Sequence, residues 1–338
     1  MKINEAATLA MTFVSINHPV MLWGSPGIGK SSVVKQIKDK LTVDTGERWG
    51  LVDYRASTRD NVSVMGTPDI HGETTRWRVP DEFPQEARDG KNGILFLDEI
   101  NTADKPVLRA LLGLVLDRWV GDYRLPDGWV IVAAGNLQTD RTGVTAFPRA
   151  LSNRFAHINV EPDADAAVQY LASIGADPVV TSFLRWRPAL IHDMSGTDQR
   201  FPTPRNWEVI ARLLPSVSDA SRLPTVTAVV GDGPAAEFEA FVRTYRDLPS
   251  LDLVLSNPLQ AKLPTSPAGQ FAITSGLSRK VQPQTLANAI AYLERVGREY
   301  VTAFMMEATN RDPGLSHSPE FVKWASDAEN QADVNISA

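Results

Sequence analysis

Residues 24–31 are Gly24-Ser25-Pro26-Gly27-Ile28-Gly29-Lys30-Ser31, which fits the phosphate-binding pattern G-x-x-x-x-G-K-[ST]. The short apolar run 20–23 precedes this stretch, and residues 31–41 after it place apolar side chains at helical spacing. Glycines allow a tight backbone turn that points several N–H groups at an anion, beside the positive end of the helix dipole. An ordinary turn between a strand and a helix does not need the Lys-Ser pair, so the stretch predicts a strand, a phosphate loop and a helix.

The residue types of the loop predict the contacts of a nucleoside triphosphate. Lys30 supplies a positive charge for the β- and γ-phosphates, and the Ser31 hydroxyl supplies a ligand for Mg²⁺. We predict that ATP is bound by Gly24, Ser25, Pro26, Gly27, Ile28, Gly29, Lys30, Ser31 and Ser32.

An apolar strand ending in two carboxylates occupies residues 94–99, ILFLDE, and is a Walker B pattern. We predict that Asp98 binds Mg²⁺, with Ser31, and that Glu99 polarises the attacking water. Alone, the pattern also fits a strand followed by a solvated acidic turn. Its place downstream of a phosphate loop favours the catalytic interpretation, because open parallel sheets bind ligands at the carboxyl ends of their strands.

Two more polar residues are candidates for the site: one follows a predicted strand, and the other lies at the start of a predicted helix. Asn136 comes after the apolar run 129–134 and is a candidate to hold the attacking water or the γ-phosphate, although turns also use Asn often. Arg205 follows Pro204 in the first turn of a predicted helix capped by Thr203. A cation is unfavourable there, so we expect Arg205 to have an anionic partner; a solvated surface arginine is the alternative.

The apolar runs divide the chain into two regions. Those at 20–23, 51–54, 94–97, 129–134 and 156–160 alternate with helical patterns at 31–41 and 106–119, which predicts a parallel five-stranded sheet covered on both faces. Residues 1–160 are therefore an α/β nucleotide-binding core, and a boundary near Glu161-Pro162 opens a helical region over 161–338. In that region we predict helices over 166–174, 206–214, 235–246, 266–277 and 284–308, with long connections at 215–232 and 247–268.

Composition excludes several classes of protein. The chain has 338 residues and no cysteine, so disulfides and cysteine-ligated metals are excluded and a cytoplasmic location is the natural expectation. The formal net charge of −6 argues against a protein that mainly coats nucleic acid. No apolar run approaches the roughly 18 residues that span a bilayer, so we expect no membrane insertion.

Five motifs in this order, GSPGIGKS, ILFLDEIN, AAGN, LSNRF and TPRNW, resemble the AAA+ ATPases and, within them, the MoxR group. The resemblance implies a P-loop AAA+ core followed by an all-helical lid domain with a C-terminal helical extension. It makes Asn136 sensor 1 and Arg205 sensor 2. It makes Arg154 the arginine finger that reaches a neighbouring subunit's nucleotide, with Arg149 as a second candidate. ATP and Mg²⁺ are the implied substrate and cofactor.

The resemblance also implies an assembly. Segments 60–80 and 120–128 look like the two hairpins that line or cap the central pore of such rings, with His71-Gly72 as the turn of the first; simple surface excursions are the alternative. We expect a homo-oligomeric ring, hexameric, that remodels or activates a partner protein, such as one with a von Willebrand factor A domain.

Other functions stay open at this point. A motor or loader that acts on nucleic acid would use basic hairpin residues, and Arg76, Arg78 and Arg124 are available, although Asp and Glu residues nearby offset them. A nucleotide-dependent structural switch with little turnover would not need Glu99 and Asn136. A small-molecule P-loop kinase would leave the sensor and finger arginines unexplained.

Overall fold

In a computed structural model of the protein, the described residues are 1–137, 147–196 and 198–326. They form two compact units. Unit 1 contains Met1–Ala166 together with Thr203–Arg205, and unit 2 contains Ala167–Pro202 and the described residues from Asn206 onward.

The strands of unit 1 are β1 (Val20–Trp23), β2 (Trp49–Arg55), β3 (Thr67–Asp69), β4 (Arg76–Arg78), β5 (Asn92–Asp98), β6 (Trp119–Val120), β7 (Tyr123–Arg124), β8 (Trp129–Gly135) and β9 (Ala156–Asn159). Its helices are α1 (Ile3–Val14), α2 (Lys30–Thr45), α3 (Asn61–Met65), α4 (Glu86–Asp89), α5 (Lys105–Asp117) and α6 (Arg149–Ser152). Helix α7 (Ala164–Ser173) begins at the end of unit 1 and continues in unit 2.

A single parallel sheet organises unit 1, with the strand order β2-β5-β8-β1-β9. Side chains alternate between its two faces, as the period of two in a strand requires. On β5, Leu95 and Leu97 join an apolar cluster with α5, whereas Ile94 and Phe96 join another with α1 and α2. Helices cover both faces, so the predicted α/β fold class with a parallel five-stranded sheet is confirmed.

Unit 1 also contains two small hairpins that contact each other. Strands β3 and β4 pair antiparallel, and the loop between them contains the predicted His71-Gly72 turn. Strands β6 and β7 pair through a turn at Gly121 and Asp122. The Asp122 carboxylate accepts a hydrogen bond from the Trp77 N–H at 2.8 Å, so the second hairpin is fastened to the first.

The regular secondary structure of unit 2 is helical in its described residues. Its helices are α8 (Pro178–Trp186), α9 (Pro204–Leu213, whose first two residues cluster with unit 1), α10 (Asp219–Val230), α11 (Asp232–Arg246), α12 (Leu251–Ser256), α13 (Pro267–Lys280), α14 (Leu286–Val296), α15 (Arg298–Arg311) and α16 (Pro319–Ala325). An apolar cluster centred on Leu277, Tyr292 and Phe304 joins α13, α14 and α15.

The structure corrects several predicted elements. The single helix predicted over 284–308 is two helices, because Gly297 adopts an extended backbone between α14 and α15. The connections predicted at 215–232 and 247–268 contain α10 and α12, where tertiary packing overrides the Pro and Ser content. Trp119, predicted as the end of a helix, instead begins β6, because Arg118 ends α5 in the left-handed conformation. Across the described ranges, no helix combines the length and apolarity needed to cross a membrane.

Candidate functional site

The sheet order brings the predicted site together. Strands β5, β8 and β1 are adjacent and parallel, so their carboxyl ends share one edge of the sheet. Asp98 is the last residue of β5, Asn136 follows β8, and Gly24 follows β1. Three segments that lie far apart in the sequence therefore meet where open α/β sheets bind their ligands.

Close approach and left-handed backbone explain the glycines of the phosphate loop. A Cβ at Gly24 would lie 2.7 Å from the Val160 carbonyl oxygen, so no side chain fits there. Gly27 and Gly29 have φ angles of +75° and +105°, in the region that favours glycine. Gly29, the N-cap residue of α2, has no side chain with which to cap the helix, so the first turn can present N–H groups to an anion.

The remaining predicted ATP-binding residues differ in exposure. Ser25 and Pro26 are half-buried in the loop, while Ser31 is half-buried and Ser32 exposed in the first turn of α2. The Ile28 side chain is 1% exposed and belongs to the apolar cluster with α1 and α2. Ile28 can therefore contribute to a phosphate site only through its backbone.

Lys30 is largely buried, and three acceptors of its ammonium group lie among the described residues. Its Nζ donates to the carbonyl oxygens of Gly24 at 2.6 Å and Ser25 at 3.0 Å, and to Oδ1 of Asn136 at 3.0 Å. These bonds hold the charge between the phosphate loop and the end of β8. The ammonium is thus already in place for an anionic phosphate chain.

The carboxyl group of Asp98 lies in a setting that suits a cation. Burial raises its pKa, and the negative charges of Asp53 and Glu99 raise it further, while the Glu99 N–H and Lys30 oppose the shift. A half-buried carboxylate with two acidic neighbours gains from a divalent cation nearby. Asp98 and Ser31 offer oxygen ligands of the kind that Mg²⁺ prefers, so the residues present fit this metal.

Glu99 stands at the edge of the site on a constrained backbone. It has a φ of +52°, in the left-handed region, and its side chain is exposed. The Ser57 hydroxyl, just after β2, donates to Glu99 Oε2 at 2.7 Å. The carboxylate is therefore accessible to water yet held by one hydrogen bond from the neighbouring strand end.

Asn136 is held from two sides. Its Oδ1 accepts from Lys30, and its backbone N–H and C=O both bond to the side chain of Asn101, at 3.1 Å and 2.8 Å. Asn101 is fully buried. The amide of Asn136 consequently faces the phosphate loop in a fixed direction.

The candidate arginines are all exposed. Arg149 begins α6 and Arg154 precedes β9, and neither makes an ion pair or a side-chain hydrogen bond within the described ranges. Arg205 lies in the first turn of α9 and clusters with unit 1. A Cβ on Gly27 would come within 3.0 Å of Thr203, so the segment that carries Arg205 begins against the phosphate loop.

Three residues of the site were missed by sequence reasoning: Asp53, Ser57 and Asn101. Asp53 had a detectable signal, since it lies near the carboxyl end of a predicted strand. Asn101 was within the quoted ILFLDEIN motif but received no role, because its partner lies 35 residues further along the chain. Ser57 has no local pattern that distinguishes it from any other serine near a strand end.

Residues 19–155 match the family model described as AAA domain, dynein-related subfamily. The match spans the phosphate loop, the acidic pair and Asn136. It supports an AAA+ ATPase. Midasin of Giardia intestinalis is 27% identical over 152 residues, and the match covers 43% of this chain and 3% of that protein, so the chain spans only a small part of this relative.

Three solved structures are also similar. NtrX from Brucella abortus in complex with ADP has a TM-score of 0.41 and 17% identity, covering 93% of this chain and 68% of that one. A mutant of RuvB from Thermotoga maritima has a TM-score of 0.35 and 15% identity, covering 87% of each chain. Hsp104 in a closed state with ATPγS and FITC casein has a TM-score of 0.38 and 14% identity, covering 69% of this chain and 42% of that one. The sheet order and the phosphate loop of this chain define its α/β fold.

Proposed function

We propose that this protein is a Mg²⁺-dependent ATP hydrolase of the MoxR-like AAA+ type. In this proposal it forms a hexameric ring and remodels or activates a partner protein. The observation that carries the proposal is the meeting of Lys30, Asp98, Glu99 and Asn136 at the ends of three adjacent strands. Each supplies one function that phosphoryl transfer to water requires: charge neutralisation, a metal ligand, a base and a polar anchor.

The chemistry follows from these side chains. Lys30 and the N–H groups at the start of α2 bind the phosphate chain of ATP, and Ser31 and Asp98 hold the metal. When bound, Mg²⁺ neutralises charge that develops on the phosphate oxygens. Glu99 accepts a hydrogen bond from the attacking water and orients it, and the amide of Asn136 fixes the water or the γ-phosphate.

The test of this function is steady-state phosphate release with and without Mg²⁺. We expect wild-type turnover, and a Glu99→Gln variant that retains ATP with turnover reduced by a factor of a hundred or more. Glu86→Gln is the matched control, because Glu86 is an exposed glutamate on α4. Normal turnover in Glu99→Gln would remove the role given to this carboxylate.

The exposed arginines support action between subunits. Arg149 begins α6 and Arg154 lies between α6 and β9, and either one is exposed for contact with a neighbouring subunit. Arginine fingers in other enzymes contribute about 10³–10⁵ in rate. We expect mixtures of Arg154→Ala and Glu99→Gln subunits to recover activity that neither has alone. If mixtures with Arg149→Ala recover and those with Arg154→Ala do not, Arg149 is the finger.

Charges on the hairpins favour a protein client over nucleic acid. Arg78 pairs with Asp69 at 3.0 Å, and Arg124 lies 3.7 Å from Asp127, so much of the basic charge is balanced locally. Phosphate binding needs uncompensated cations and depends steeply on salt. We expect weak binding of single-stranded DNA in a salt titration. The client, a von Willebrand factor A domain protein in this proposal, is sought by affinity capture with Glu99→Gln in ATP.

A further inference from the structure

Asn101 is a fully buried polar residue two positions after Glu99 of the acidic pair. It lies in the single 3₁₀ turn Ile100–Thr102, which is fixed by two hydrogen bonds to the Glu99 carbonyl, from the Thr102 N–H at 3.0 Å and its hydroxyl at 2.8 Å. Buried carboxamides are retained where their donor and acceptor are both used. The partners of this carboxamide therefore indicate its role.

Both partners of Asn101 belong to the backbone of one residue, Asn136. The Asn101 Nδ2 donates to the Asn136 carbonyl at 2.8 Å, and its Oδ1 accepts from the Asn136 N–H at 3.1 Å. Pairing between β5 and β8 ends at Leu97 and Ala133, so strand β5 no longer supports β8 where Asn136 lies. The Asn101 side chain substitutes for that missing strand.

The fit between Asn101 and the end of β8 is tight. A Cβ at Gly135 would lie 2.8 Å from Asn101 Oδ1 and 2.6 Å from Met21 Cε. A residue with a side chain at 135 would therefore displace the Asn101 carboxamide. Gly135 and Asn101 together fix the backbone from which the Asn136 side chain reaches Lys30 at 3.0 Å.

We propose that Asn101 is a positioning residue for ATP hydrolysis, acting through Asn136. This inference rests on the proposed function. The turn that begins at Glu99 sets the direction of the carboxylate and, through the Asn101 side chain, the direction of the Asn136 amide. The two groups that fix the attacking water and the γ-phosphate are thereby held at a constant separation by one short segment.

The experiment compares Asn101→Ala, Asn136→Ala and the double variant by steady-state phosphate release and by the Kd of a fluorescent ATP analogue. We expect Asn101→Ala to lower kcat about tenfold or more with the Kd changed less than about threefold, since only preorganisation is lost. We expect the double variant to be no slower than Asn136→Ala, because residues that act as one unit are not additive. A double variant whose loss of kcat equals the product of the two single-variant losses would overturn the proposal.

A second readout does not depend on activity. In the nucleotide-free protein, hydrogen exchange of residues 130–137 should be faster in Asn101→Ala than in the wild type. Trp129→Phe is the destabilised control. Trp129 begins β8, at the end of the strand away from Asn136, and this change removes the hydrogen bond from its buried indole to the Gly90 carbonyl. It should lower the melting temperature without changing kcat.

A conservative variant covers the case in which Asn101→Ala does not fold. Asn101→Asp keeps the shape and the acceptor for the Asn136 N–H, but its carboxylate cannot donate to the Asn136 carbonyl. We expect it to lower kcat as well. Wild-type kcat in a folded Asn101 variant overturns the positioning role and leaves the ATPase intact, whereas absence of turnover in the wild type overturns the proposed function itself.

Discussion

Lys30→Met is expected to weaken the nucleotide-free fold as well as abolish ATP binding. A lysine that contacted only the phosphates of a bound nucleotide would not contribute to the stability of the nucleotide-free protein. Here the ammonium bonds to the carbonyl oxygens of Gly24 and Ser25 and to Asn136 Oδ1, and it lies almost entirely out of solvent. Methionine has a similar length and no donor, so it removes these bonds with little change in volume.

The size of the loss in stability depends on which of the three acceptors can bond to water instead of to the Lys30 ammonium. The bond to Gly24 O is buried, whereas those to Ser25 and Asn136 are only partly buried. One buried acceptor left unpaired costs about 1–3 kcal/mol. Methionine also removes the cost of burying the lysine charge, which offsets part of the loss of the two partly buried bonds. For a domain of this size, 1 kcal/mol shifts the melting temperature by about 2–4 °C, so we expect a fall of about 2–12 °C.

Thermal unfolding without nucleotide, followed by circular dichroism, measures this loss, and titration with a fluorescent ATP analogue measures binding. Lys35→Met is the matched control, because Lys35 is an exposed lysine on the same helix. It should change neither quantity. An unchanged or higher melting temperature in Lys30→Met would refute the idea that the three bonds stabilise the empty loop.

Three further predictions test the surrounding contacts. Burial raises the pKa of Asp98 in the folded state above its value in the unfolded state. The charged carboxylate therefore lowers the free energy of unfolding at neutral pH. This cost shrinks as the pH falls through the raised pKa, and it is gone below the ordinary aspartate pKa. Asp98→Asn should therefore raise the melting temperature while abolishing Mg²⁺-dependent turnover; a lower melting temperature would contradict this. Ser57→Ala removes the hydrogen bond to Glu99 Oε2 and should slow phosphate release about two- to fivefold at unchanged ATP affinity, because the exposed bond contributes at most about 1 kcal/mol; faster release would mean that Ser57 restrains Glu99. Asp122→Ala removes the acceptor of the Trp77 N–H and should speed hydrogen exchange in residues 76–78, and unchanged exchange would show that the hairpins are held by other contacts.

The sequence predicted those parts of the site that depend on short-range pattern. The phosphate loop, the acidic pair and all five strands of the main sheet were identifiable, because glycine spacing and continuous apolar runs reflect local backbone geometry and burial. The domain division at 160/161 and the roles of Arg154 and Arg205 stay predictions. The helix predicted over 284–308 was wrong because a single Gly297 outweighs a continuous apolar period.

The tertiary structure decided which of these residues meet and how each is held. Lys30 reaches Asn136 across 106 residues, Asn101 reaches it across 35, and Ser57 reaches Glu99 across 42. Such contacts follow from the strand order, which places β8 between β5 and β1, and no local pattern in one sequence encodes that order. The sequence alone determined that the chain carries a phosphate loop and an acidic strand end, because each is built from consecutive residues. The positioning of Asn136 depends on side chains from separate segments, so only the folded sheet could determine it.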